Sequence, residues 1–114
     1  MRTTHSVAAK KRKKKILALA KGFWGQRSRT YRRAKESVRR ALAYAYRDRR
    51  AKKRDFRSLW IIRINAAARA NGMPYRHFIA GLKKKQIMLS RDILADIASE
   101  EPAVFEQIVE LVKQ

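Results

Sequence analysis

Between Gly25 and Gly72 the chain runs for 46 residues, Gln26 to Asn71, without a glycine or a proline. Those two residue types are the strongest local helix breakers, and the residues present instead are mostly strong helix formers. No segment anywhere in the chain alternates apolar and polar residues with period two, so the predicted fold class is all-α. A helix over the whole stretch would span roughly 70 Å at 1.5 Å per residue, far more than a small domain is wide. Ser28 is placed to cap its start, and Gly72 to end it.

The apolar pattern changes along that stretch. Tyr31, Ala34, Val38, Ala41, Leu42 and Ala45 recur at spacings of three and four, a narrow stripe of mostly small side chains. "RDRRAKKRD" (47–55) then carries no large apolar residue, and a helix that is polar all round has no face to bury. The i,i+4 pairs Glu36–Arg40 and Asp48–Lys52 add only a few tenths of a kcal/mol each. Past this point the stripe widens into a core face of Phe56, Leu59, Trp60, Ile64, Ala67 and Ala68.

The flanks are shorter elements. Met1 to Ala9 is expected to lack structure, Lys10 to Lys21 to form a basic helix ended by Gly22, and "GFWG" (22–25) to be a turn bearing two aromatics. Pro74 opens a helix over Tyr75 to Lys84 with Tyr75, Phe78, Ile79 and Leu82 on one face. Ser90 caps a helix carrying Ile93, Leu94, Ile97 and Ala98. Pro102 begins a last one with Val104, Phe105, Ile108, Val109 and Val112. The expected organisation is therefore a long basic helical arm over residues 1–57, followed by a small globular helical bundle over residues 58–114. The latter lies near the lower size limit for independent folding.

Charge narrows the function. Thirty Lys and Arg oppose nine Asp and Glu, a net charge of +21. The excess is uneven: through Trp60 there are 22 basic and three acidic residues, and from Ile61 onward eight and six. A small domain with that self-repulsion calls for a polyanion. Cysteine is absent, which removes disulfides and thiolate zinc sites, and His5 and His77 stand far apart without a carboxylate pattern. No metal and no cofactor is expected. Asp92, Asp96 and Glu100 line up at i, i+4 and i+8, but no nucleophile, ligand histidine or glycine-rich phosphate loop accompanies them. They read as a solvated acidic face, with no enzyme and no small-molecule substrate implied.

A membrane reading fails mainly on length. The island Ile16 to Ala20 has five apolar residues, short of the roughly 20 that a spanning helix needs. A surface-lying helix would gather Ile16, Leu19, Ala20, Phe23 and Trp24 on one face, yet Gly22 and Gly25 interrupt it and the basic excess continues far beyond.

The remaining polyanion is nucleic acid, where many modest phosphate contacts sum to tight binding. The candidate contacts are Lys10, Lys11, Arg12, Lys13, Lys14, Lys15 and Lys21 before the turn. Along the long helix they are Arg27, Arg29, Arg32, Arg33, Arg39, Arg40, Arg47, Arg49, Arg50, Lys52, Lys53, Arg54 and Arg57. Arginine predominates there, and its planar fork matches phosphate and stacks on bases. Phe23, Trp24 and Tyr31 are interleaved with these cations and suit stacking on unpaired bases; local packing of Phe23 and Trp24 against Leu19 is the alternative. Trp60 belongs to the core stripe. In the second half, Arg76, His77, Lys83 and Lys84 surround a helix able to dock on the same partner.

Composition does not separate RNA from DNA. "AKGFWGQRSRTYRRAKESV", "ALAYAYRDRRAKKRDFRSLWIIRINAAARANG", "YRHFIAGLKKK" and "LSRDILADIA" together resemble the bacterial large-subunit ribosomal protein family numbered twenty in its series. The likeness runs in order and without gaps from about Lys10 to the C-terminus. It implies direct binding to 23S rRNA, a role early in large-subunit assembly and cytoplasmic residence in that subunit. It also implies neighbouring large-subunit ribosomal proteins as partners, no membrane and no homo-oligomer; some members repress their own messenger. The start "MRTTHSVAA" departs from the family, as do Glu101 before Pro102 and Gln86 where a glycine is usual. The competing readings are a basic DNA-compacting architectural protein and a cationic membrane-active polypeptide.

Overall fold

The computed structural model describes residues 6–114. Among them every regular element is a helix, and the all-α expectation holds. The order is α1 (Ser6–Leu19), α2 (Gln26–Arg29), α3 (Tyr31–Ala70), α4 (Tyr75–Lys84), α5 (Arg91–Glu100) and α6 (Pro102–Lys113). The chain divides into two compact units, Met1–Arg50 and Ala51–Gln114, with α3 contributing to both.

In the first unit α1 begins at Ser6, so Ser6 to Ala9 are helical rather than unstructured. Ala8 and Ala9 are good helix formers directly continuous with the lysine run. The rest of that expected segment, Met1 to His5, lies outside the described residues. Helical residues stop at Leu19, and Gly22 takes a φ of 88° in the turn that follows.

The single helix expected from Gln26 is broken at Thr30, which is extended (φ −90°, ψ 121°) between α2 and α3. Its N–H donates to the Gln26 carbonyl at 2.9 Å, and its own carbonyl accepts the Ala34 N–H at 2.8 Å. Thr30 thus closes one helix and opens the next. β-branched threonine is a weaker helix former than the arginines around it and a favoured N-cap residue. Ser28 caps nothing: its hydroxyl donates to the Gly25 carbonyl at 3.0 Å from inside α2.

The core of the second unit is built from two residues of each of four helix faces. Ile64 and Ala68 come from α3, Phe78 and Leu82 from α4, Leu94 and Ala95 from α5, Phe105 and Val109 from α6. Each large side chain so buried stabilises the fold by roughly 1.5–3 kcal/mol. Phe78 and Phe105 meet with ring centroids 5.2 Å apart in a tilted arrangement. Trp60, Tyr75, Ile79, Ile97, Ile108 and Val112 pack around this centre, as the helical spacing predicts. Phe56 and Leu59, expected in the core face, are instead exposed, at 45% and 39%. They precede the part of α3 that the other helices cover, and Phe56 only flanks Trp60 with centroids 6.3 Å apart. Ile93 and Val104 also remain exposed at the edges of their faces.

Two polar ties link distant positions in this unit. The Arg91 Nε donates to the Tyr75 hydroxyl at 3.1 Å, and the Lys113 Nζ donates to the Asn71 carbonyl at 2.9 Å. Ser90 precedes α5 as expected but makes no cap to the backbone; its hydroxyl donates to the Asp92 carboxylate. That bond, and then the Ile93 N–H, hold the Asp92 carboxyl below its ordinary pKa. Its contribution to stability is therefore present above the usual carboxylate range and lost as pH falls through the lower folded value.

The ends of α3 and α4 are the same device made from different residues. After α3, the Gly72 N–H donates to the Arg69 carbonyl and the Met73 N–H to the Ala68 carbonyl, both at 2.9 Å. After α4, the Gln86 N–H donates to Lys83 at 3.1 Å and the Ile87 N–H to Leu82 at 3.0 Å. Both are Schellman stops, which need a left-handed residue at the first position past the cap. Gly72 supplies it at φ 76°, and Gln86 is forced into it at φ 57°. The departure noted at Gln86 therefore leaves the turn intact at a conformational cost. Within α4, Gly81 lies against α6, where an added Cβ would collide with the Val112 side chain.

Gln86→Gly should raise the unfolding free energy by roughly 0.5–1 kcal/mol, the left-handed penalty less glycine's extra freedom when unfolded. Denaturant titration reads the change, and an unchanged midpoint would refute a strained turn. Gly81→Ala should lower stability by roughly 1–3 kcal/mol through overpacking, and Val112→Ala in the same chain should recover part of the loss.

Candidate nucleic-acid interface

The N-terminal half of the candidate site rests on a very small core. Ala20, Ala34 and Val38 are buried, with Ile16, Leu17 and Phe23 packed against them. Small residues on both sides bring the end of α1 against the start of α3 although both are densely basic. The apolar face expected for a membrane-lying helix is therefore partly occupied. Ile16, Ala20 and Phe23 turn toward α3, while Leu19 is exposed and Trp24 is 91% exposed. A 100° step per residue holds only to Leu19, where α1 ends; the Gly22 turn then sends Phe23 inward and Trp24 outward.

Every candidate cation is exposed. This covers Lys10 to Lys15 and Lys21, the thirteen Arg and Lys named between Arg27 and Arg57, and Arg76, Lys83 and Lys84. His77 is exposed too, while Phe23 and Tyr31 are half-buried. The Lys13 ammonium lies 5.8 Å from the centroid of the Tyr31 ring, within cation–π range.

Between Val38 and Ile64 no residue of α3 is buried. Sequence spacing anticipates this only for residues 47–55; Ala41 and Leu42, expected in the apolar stripe, are exposed because no other element covers that part of the helix, and the side chains are organised locally. Arg47 lies over Tyr44 at 4.6 Å, Arg50 over Tyr46 at 4.7 Å, and Lys52 over Phe56 at 5.7 Å. Arg40 Nη2 donates to Glu36 Oε1 at 3.1 Å, the i,i+4 pair expected. Asp48, however, is taken by its neighbour Arg47, whose Nε donates to Oδ1 at 2.9 Å, and not by Lys52. That hydrogen bond and charge raise the Arg47 pKa above its ordinary value. Lys52 has the Phe56 ring instead.

Tyr44 and Tyr46 were not among the sequence candidates, because they fall on different faces of the helix. The missed signal is each tyrosine's own arginine, three or four residues on. A cleft of about 550 Å³ brings further residues together: the "GFWG" turn, Arg27 of α2, and one face of α3 bearing Arg33, Arg40 and Tyr44. In α4, Arg76, His77, Lys83 and Lys84 share the exposed side opposite Phe78 and Leu82, and the two lysines sit in the last turn. There their charge complements the negative end of the helix dipole.

Nothing resembling a catalytic constellation accompanies this surface. Among the described residues no group of His, Cys, Asp and Glu could hold a metal ion, and no helix is long and apolar enough to cross a membrane. Asp92 is engaged by Ser90, and Asp96 and Glu100 are exposed along α5.

Fold and surface together define a class of all-α, polycationic proteins that carry distributed charge in place of a reactive centre. The chain belongs to the ribosomal protein L20 family, whose sequence model matches residues 2–108. The large ribosomal subunit protein bL20 of Thermomicrobium roseum is similar to it, at 55% identity over 114 residues. That match covers 100% of this chain and 97% of the relative. The resemblance read in the sequence is thereby confirmed, and with it a structural, non-enzymatic role.

Proposed function

We propose that this structural component of the large ribosomal subunit works by binding 23S rRNA directly, and that it acts early in subunit assembly. In this reading residues 1–57 are an arm that neutralises and spaces rRNA helices, and residues 58–114 are a domain that fixes one RNA junction. The candidate cations make the phosphate contacts, Phe23, Trp24 and Tyr31 lie among the RNA contacts, and neighbouring ribosomal proteins and the cytoplasmic subunit supply the setting. Repression of its own messenger would use the same contacts.

One observation carries this reading: a helix with no buried residue between Val38 and Ile64, clothed in exposed arginine and lysine. Within the protein, such a segment has only weak local pairs to hold it. Phosphates placed among Arg47, Arg50 and Arg54 would remove the repulsion and complete the hydrogen bonding of the guanidinium groups. Family membership favours RNA over the DNA-compacting alternative, and ultraviolet crosslinking in cells, read by the polymer attached, discriminates between them.

Two measurements bear on the mechanism. Log affinity for an rRNA fragment should fall steeply with log salt, with a slope of roughly −0.7 to −0.9 per phosphate neutralised, and residues 58–114 alone should show a much shallower slope. Equal slopes would remove the arm as the main binding element. Amide exchange across residues 39–55 should be fast in the free protein and slow in the complex; strong protection without RNA would contradict ordering by phosphate.

A further inference from the structure

The cleft beside the "GFWG" turn has features that charge neutralisation alone does not require. Its volume of about 550 Å³ falls within the roughly 300–1,000 Å³ typical of small-ligand sites. The α3 side includes Ser37 and Ala41, two small residues one turn apart. Trp24, Tyr44, Arg27, Arg33 and Arg40 line the same cleft. Aromatic rings and guanidinium groups lining one cleft beside small residues are complementary to a planar, anionic ligand.

The two rings are presented rather than buried. Phe23 enters the small core, whereas the adjacent Trp24 is left 91% exposed. Indole is among the most favourable of side chains to cover, so this exposure is costly unless a partner covers it. Tyr44 is also exposed, and Arg47 sits 4.6 Å from its ring centroid. Glu36, on the same wall, accepts a hydrogen bond from Arg40 at 3.1 Å and so holds that guanidinium along the cleft.

We propose that this cleft takes a single unpaired nucleotide of the bound RNA. The base stacks on Trp24 with Tyr44 at the rim, and the adjoining phosphates sit on Arg27, Arg33 and Arg40. This rests on the reading that the arm binds rRNA and adds that the contact is to a base as well as to backbone. Bases inside a duplex are stacked on one another and offer only edges; a bulged or looped-out nucleotide presents the face that an indole can cover. Stacking is tolerant of base identity, so a bulge is recognised by being unpaired.

The test uses the full-length chain carrying Trp60→Phe, which leaves Trp24 as the one tryptophan, with circular dichroism confirming the fold. Two RNA hairpins are titrated, identical except that one stem carries a single-nucleotide bulge. The bulged stem should bind roughly tenfold tighter, as one base–aromatic stack implies, and should alter Trp24 emission where the paired stem does not. Trp24→Ala should abolish the preference for the bulged stem, and Trp24→Phe should keep most of it. Equal affinity for the two stems, or a preference that survives Trp24→Ala, overturns the proposal while leaving phosphate binding by the arm intact. Failure of both stems to bind at low salt overturns the underlying RNA reading as well.

Discussion

Mutual repulsion among the cations of the first sixty residues is the constraint to which the rest of the structure answers. Twenty-two Lys and Arg against three acidic residues favour keeping every charge apart and hydrated, and a helix does this well by spreading side chains around an axis. Opposing that spread are the contacts of Ala20, Ala34 and Val38 with three half-buried neighbours. A core of that size provides only a few kcal/mol at roughly 25 cal/mol per Å² of apolar surface. The N-terminal unit is thus assembled against its own charge, and under the proposed function a polyanion would convert its main source of instability into its main source of affinity.

The second unit is governed by packing instead. Eight residues from four helices fill its centre, and the fit is close enough that Gly81 has no room for a Cβ against Val112. From Ile61 onward its charges are nearly balanced, eight basic against six acidic, and the ties from Arg91 to Tyr75 and from Lys113 to Asn71 engage two of its cations internally. One long helix, α3, therefore obeys two kinds of physics along its length, with electrostatics dominant at one end and burial at the other.

What could be read from sequence follows the same division. Helical periodicity placed α4 at Tyr75–Lys84 and put Phe78, Leu82, Leu94, Phe105 and Val109 inside, because burial imposes a strict spacing. The break at Thr30 escaped notice because it uses backbone bonds and a β-branched residue, with no glycine or proline to mark it. Phe56 and Leu59 continue the apolar stripe beyond the part of α3 that other helices cover, and only the packing reveals where cover ends. Among the candidate contacts, composition alone indicated the exposed cations, since few such side chains are ever fully buried. The opposite fates of Phe23 and Trp24 depend on the turn at Gly22, and the placing of Trp24 and Tyr44 along one cleft depends on tertiary structure. Neither has a signature in residue spacing.

The rings beneath Arg47, Arg50 and Lys52 have a further consequence. A free arginine or lysine side chain gives up as much as about 1.5–2 kcal/mol of rotamer entropy when it is fixed. Leaning on Tyr44, Tyr46 and Phe56 narrows that freedom before any anion arrives, while the exposed face of each charged group stays open to solvent. The polar middle of α3 thus carries cations that are partly ordered in advance, so under the proposed function a larger share of each ionic contact would be retained as affinity.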